Sequence, residues 1–113
     1  MTSPALRLLF STCPDAASAT RIALALVGER LAACVSRLPG LHSTYRWQGT
    51  VEQTDEVLLL IKTAADRLPA LRQRLCDLHP YEVPELVEVE VTDGLPAYLQ
   101  WLHAQTREEL EEP

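Results

Sequence analysis

An imidazole, a phenol and two carboxylates fall within seven residues at His79-Pro80-Tyr81-Glu82-Val83-Pro84-Glu85. Each proline fixes its own φ and disfavours helix in the residue before it, so the stretch is stiff and largely extended. Such a connector either stops a helix and makes a rigid turn, or aims His79, Tyr81 and Glu82 into a cleft that holds a ligand. Neutral imidazole and thiolate both suit copper. His79 is therefore the first metal candidate, with Cys13 and Glu82 beside it. Cys13 precedes Pro14 at a strand end and helix start, where a helix N-terminus can lower a thiol pKa. Packing as a small apolar side chain is the other role open to it.

A second set of residues suits a small anionic molecule. Lys62 is the sole lysine of the chain and follows an apolar run. It either reaches the rim of the sheet, pairs with Glu56 or Glu85, or meets a ligand together with Tyr81. Tyr45 and Trp47 alternate onto one side of an extended segment and suit a subunit interface. Cys34 sits in an apolar strand pattern, and Cys76 lies opposite the leucine face of its helix. Glu82 and Glu85 could serve acid–base chemistry. No nucleophile or oxyanion donor pair accompanies them in the sequence, so the reading is a binding protein and not an enzyme.

The bounds are set by size and charge. The chain of 113 residues with net charge −6 suits one domain spanning 1–113, with frayed tails at 1–5 and 107–113. The acidic balance argues against nucleic acid as a partner. No apolar run reaches membrane-spanning length, and no basic signal-peptide start is present. Three widely spaced cysteines give neither a zinc knuckle nor a disulfide framework, and a cytoplasmic location with reduced thiols follows.

The elements that must position these groups follow from periodicity. Leu6 to Thr12 alternates as a strand. Pro14 and Asp15 open a helix whose Ala19, Ile22, Ala23, Leu26 and Val27 share a face. Leu31 to Leu38 reads as a second strand broken by Pro39-Gly40, and Leu41 to Trp47 continues extended. Gln48-Gly49 is a two-residue hairpin turn. Thr50 to Thr63 follows, and its run Val57-Leu58-Leu59-Leu60-Ile61 suits a strand buried on both faces. Asp66 can cap a second helix with Pro69 in its first turn and Leu68, Leu71, Leu75 and Leu78 on its apolar side. Val87, Val89 and Val91 alternate with glutamates in a fourth strand. Asp93-Gly94 turns the chain into a short helix marked by Leu95, Tyr98, Leu99 and Leu102.

This order, β-α-β-β-α-β with a C-terminal helix, is the α+β ferredoxin-like split βαβ pattern. Both main helices then cover one sheet face. Aliphatic side chains on the other face favour association, since burying one Leu or Val contributes roughly 1.5–3 kcal/mol. An oligomer assembled through the open face is expected; a third helix covering that face alone is the alternative.

Several segments together carry a family resemblance: Thr12-Cys13-Pro14-Asp15, Leu31-Ala32-Ala33-Cys34-Val35, Ser43-Thr44-Tyr45-Arg46-Trp47-Gln48-Gly49, Glu56, Lys62-Thr63, the His79 to Glu85 stretch, and Tyr98-Leu99-Gln100-Trp101. In this order the chain resembles the CutA divalent-cation tolerance family. The resemblance implies a PII-like homotrimer, a link to copper and other divalent cations, and polar clefts between subunits. Some family members carry two adjacent histidines before the proline; here Leu78 precedes His79. Two binding functions and a ligand-free scaffold stay open. One is a metal-responsive protein holding copper weakly through His79, Cys13 and Glu82. The other is a regulatory module binding an anionic metabolite through Lys62, Tyr81, Glu56 and Glu85. The scaffold is a trimer without ligand.

Overall fold

Residues 4–108 are described by the computed structural model, and they form four strands and three α-helices. Strand β1 is Leu6–Cys13, helix α1 Ala16–Gly28, β2 Cys34–Trp47, β3 Thr50–Ala64, α2 Leu68–Leu78, β4 Val87–Glu90 and α3 Pro96–Gln105. The strands pair antiparallel in the order β2-β3-β1-β4, which is the split βαβ topology. The pairing sets Leu9 opposite Ile61, Ser11 opposite Leu59 and Cys13 opposite Val57. These six side chains share the face under the helices and are buried.

Helix α1 starts where Asp15 accepts a hydrogen bond from the Ser18 N–H at 2.8 Å. Ala19, Ile22, Ala23 and Leu26 pack into the core, while Val27, expected beside them, is left exposed at the edge of the apolar stripe. Leu71, Leu75 and Leu68 of α2 meet the same core. Leu31 and Ala32 are not yet strand. Their N–H groups close the end of α1 by bonding to Leu26 O at 2.9 and 3.1 Å, so β2 begins at Cys34.

Pro39-Gly40 does not break the strand as expected. β2 runs through it with a register shift between Leu38 and Leu41, and Gly40 takes φ 87°. A bulge absorbs the missing proline N–H, and glycine supplies the left-handed backbone. Asp66 is not the cap of α2 either. It sits in a 3₁₀ turn, Ala65–Arg67, and its carboxylate holds Arg107 at 2.7 Å through both oxygens. Residue 107, expected to fray, is thus anchored, as is Ala5, whose carbonyl accepts from the Ala65 N–H at 2.7 Å. Residues 1–3 and 109–113 lie outside the described part. β4 closes at Glu90, although the Val91 N–H still bonds to Leu6 O at 3.2 Å.

The other sheet face carries Leu58 and Leu60 with Thr12 and Phe10 beside them on β1. Leu38, Val87 and Val89 on this face stand exposed. Helix α3 meets β3, buries Leu102 and receives the Arg30 guanidinium at Gln105 O, 3.2 Å away. It leaves that apolar row uncovered within one subunit.

Candidate functional site

The site is built where the end of α2 meets the end of β1. His79 caps α2, donating its N–H to Leu75 O at 2.9 Å, and Pro80 behind it keeps it extended at φ −76°, ψ 135°. The imidazole is 8% exposed. Its Nε2 lies 2.7 Å from Thr12 O, so that nitrogen carries the proton and donates it to the carbonyl. Its Nδ1 accepts the Tyr81 N–H at 3.1 Å. Cys13 Sγ stands 3.8 Å from Nε2. The structure thus brings the two soft candidates together, with both ring nitrogens already engaged. Burial, the largest influence, pushes the Cys13 thiol up to about 11. This is opposite to the lowering expected from a helix N-terminus; the Ser18 hydroxyl lowers it, but less than burial raises it.

His79 sets the backbone of Tyr81, and Tyr81 reaches across to β3. Its hydroxyl donates to Glu56 Oε2 at 2.8 Å. Glu56 is 7% exposed. Burial, then the hydrogen bond and charge of Glu56, hold the Tyr81 phenol well above its ordinary value. The Ser11 hydroxyl pins the next turn by donating to Glu85 O at 2.7 Å. Burial and the nearby Glu56 charge raise the Glu85 carboxyl.

These groups line a cleft of about 770 Å³ between the β2–β3 hairpin and the segment 80–85. Four carboxylates border it, from Glu52, Glu56, Glu82 and Glu85, with rings from Tyr45, Trp47 and Tyr81. No lysine or arginine is among the lining residues. Lys62 is elsewhere: its Nζ lies 4.0 Å from Cys34 Sγ on the open sheet face. Tyr45 and Trp47 are 42% and 41% exposed in the single subunit. Glu52 is the lining carboxylate that sequence reasoning missed. Counting back from the Gln48-Gly49 turn would have found it, since the hairpin sets Trp47 opposite Thr50 and Tyr45 opposite Glu52.

Among the described residues, no three His, Cys, Asp or Glu side chains converge closely enough to hold a metal ion outright. The four carboxylates make the field of the cleft negative, which favours cations over anions there.

Comparison with known proteins agrees with this build. Residues 7–105 match the sequence profile of the CutA1 divalent ion tolerance protein family. The divalent-cation tolerance protein CutA of Thermus thermophilus is 50% identical over 95 residues, covering 84% of this chain and 92% of that protein. Protein CutA of Mus musculus is 45% identical over 97 residues; the match covers 86% of this chain and 55% of that longer protein. The crystal structure of CutA from Xylella fastidiosa superposes with a TM-score of 0.88 at 55% identity, covering 90% of this chain and 98% of that one. The chain belongs to the CutA1 divalent ion tolerance protein family.

Proposed function

We propose that this chain serves divalent-cation tolerance by holding a divalent cation in the cleft between the hairpin and segment 80–85, as a binding and response protein and not as an enzyme. The observation that carries this is the lining: four carboxylates and no basic side chain. Such a field concentrates cations and repels an anionic metabolite. Glu52, Glu82 and Glu85 make the first contact, because they are exposed whereas Glu56 is buried. Glu56, tied to Tyr81, supplies charge from below.

His79 acts here mainly by position. Ligation through Nε2 would break its bond to Thr12, and ligation through Nδ1 would displace the Tyr81 N–H. Cys13 would also have to lose its proton against burial. This pair is a softer reserve, reached only at that expense. Among first-row ions copper binds most nitrogen and oxygen sites best, so copper ranks above zinc. The working form is a cytoplasmic homotrimer. Assembly covers Leu38, Val87 and Val89 on the open sheet face, and a neighbour packs on Tyr45 and Trp47.

Calorimetric titration of the metal-free protein with Mn²⁺ and, separately, with nucleotides tests the reading. Manganese prefers the oxygen ligands that the cleft offers. Heat from Mn²⁺ and none from nucleotides is expected. The reverse would overturn the cation reading and favour the anionic metabolite held through Lys62.

A further inference from the structure

His42 stands opposite Asp55 on the β2–β3 hairpin, and its Nδ1 lies 2.7 Å from Asp55 Oδ1. Both side chains are open to water, at 79% and 85% exposure. A hydrogen bond so exposed adds little to stability, so folding gives no strong reason for it. Its geometry matches half of a common metal arrangement. A ligating imidazole usually donates its second ring N–H to a carboxylate, which fixes tautomer and direction and raises the basicity of the nitrogen that binds. Asp55 stands at Nδ1 to accept that N–H, and among the described residues nothing else bonds to the ring. Nε2 is therefore the lone pair presented to solvent.

The other two histidines differ. Both ring nitrogens of His79 are engaged in a buried site. His103 Nε2 is shut away from solvent. Oxygen donors stand around His42. Gln53 lies two residues from Asp55 and so on the same side of β3, and a depression of about 420 Å³ is lined by His42, Ser43, Gln53, Thr54 and Asp55.

We propose that His42, oriented by Asp55, is a separate surface site for a borderline divalent cation, copper(II) before zinc, with one imidazole nitrogen and the remaining positions filled by oxygen and water. The order follows from the ranking of first-row ions at nitrogen and oxygen donors. This site is independent of the carboxylate cleft and would stand if the cleft bound nothing.

The test is electron spin-echo spectroscopy of the full chain with less than one equivalent of copper(II), which detects the remote nitrogen of a coordinated imidazole. The native protein should show modulation from one imidazole, and His42→Gln should lose it. Asp55→Asn should keep a modulation with altered remote-nitrogen coupling, because the hydrogen bond at that nitrogen changes, and should bind copper about tenfold more weakly. Glu82→Gln combined with Glu85→Gln should leave the modulation as it is. Modulation that survives in His42→Gln overturns the site. Unchanged coupling and affinity in Asp55→Asn overturn the role of Asp55, and loss of modulation in the double cleft variant overturns the site's independence.

Discussion

The Tyr81 hydroxyl donates to Glu56 Oε2 at 2.8 Å, joining the proline-flanked segment to β3 across the floor of the cleft. The bond exists only while the phenol keeps its proton. Burial and the Glu56 charge both oppose phenolate, so Tyr81 should titrate clearly above the ordinary phenol value of about 10. Ultraviolet titration should show a late step that Tyr81→Phe removes. A native titration complete within the ordinary range would contradict the contact.

Thiol chemistry should separate the cysteines by burial. Cys13 is fully buried and held up to about 11, whereas Cys76 is exposed. Alkylation at pH 8 followed by mass mapping should label Cys76 and spare Cys13, because the thiolate is the reactive form. Equal labelling of the two would mean that the pocket behind Tyr81 opens readily.

Trp47 gives a test of assembly. In one subunit its ring is 41% exposed, so truncation there would remove little packing. Covered by a neighbour, the same Trp47→Ala change should lose about 3–5 kcal/mol, partly as dissociation. Sedimentation equilibrium at micromolar concentration should find a native trimer and a weakened Trp47→Ala trimer. A native monomer, or a variant with unchanged mass and melting temperature, would contradict the interface.

Glu85 sets a pH dependence. Its folded-state pKa is raised by burial and by Glu56, so the folded chain binds that proton more tightly than the unfolded chain. Stability from this group is then complete below the ordinary carboxylate value of about 4.3 and falls as pH rises through the raised value. In the absence of divalent cations, Glu85→Gln should melt slightly higher than the native protein at pH 7 and equal to it near pH 4. A variant that melts lower at pH 7 would show that Glu85 is stabilised by a partner instead.

Much of the fold was legible because local pattern and tertiary demand agree. The run Val57 to Ile61 divides as a two-sided strand must, with Val57, Leu59 and Ile61 under the helices and Leu58 and Leu60 on the other face. The Gln48-Gly49 turn set the hairpin register, with Gln48 and Gly49 at φ 49° and 81°. Local pattern failed where a distant group decided. Asp66 looks like a helix cap until Arg107 takes its carboxylate. His79 looks like a free ligand until Thr12, 67 residues away in sequence, takes its Nε2 proton. Lys62 and the acids suggested one cleft, but Lys62 lies six residues along β3 from Glu56, roughly 20 Å at about 3.3 Å per residue, where it stands beside Cys34. The acidic segment itself was visible from the start. Glu56 was legible beside Tyr81 and Glu85 from the sequence; Glu52 was not, because its place follows from the β2–β3 register that sets it opposite Tyr45.

The most direct measurement is the Mn²⁺ dissociation constant of the native protein beside that of Glu82→Gln combined with Glu85→Gln, read from the free-ion paramagnetic signal. Both residues line the cleft, and glutamine keeps their size while removing charge. The carboxylate cleft predicts binding weakened by about tenfold or more, a loss of ~1.4 kcal/mol, with the trimer intact. Equal affinity in the two proteins would place the cation elsewhere and contradict the account.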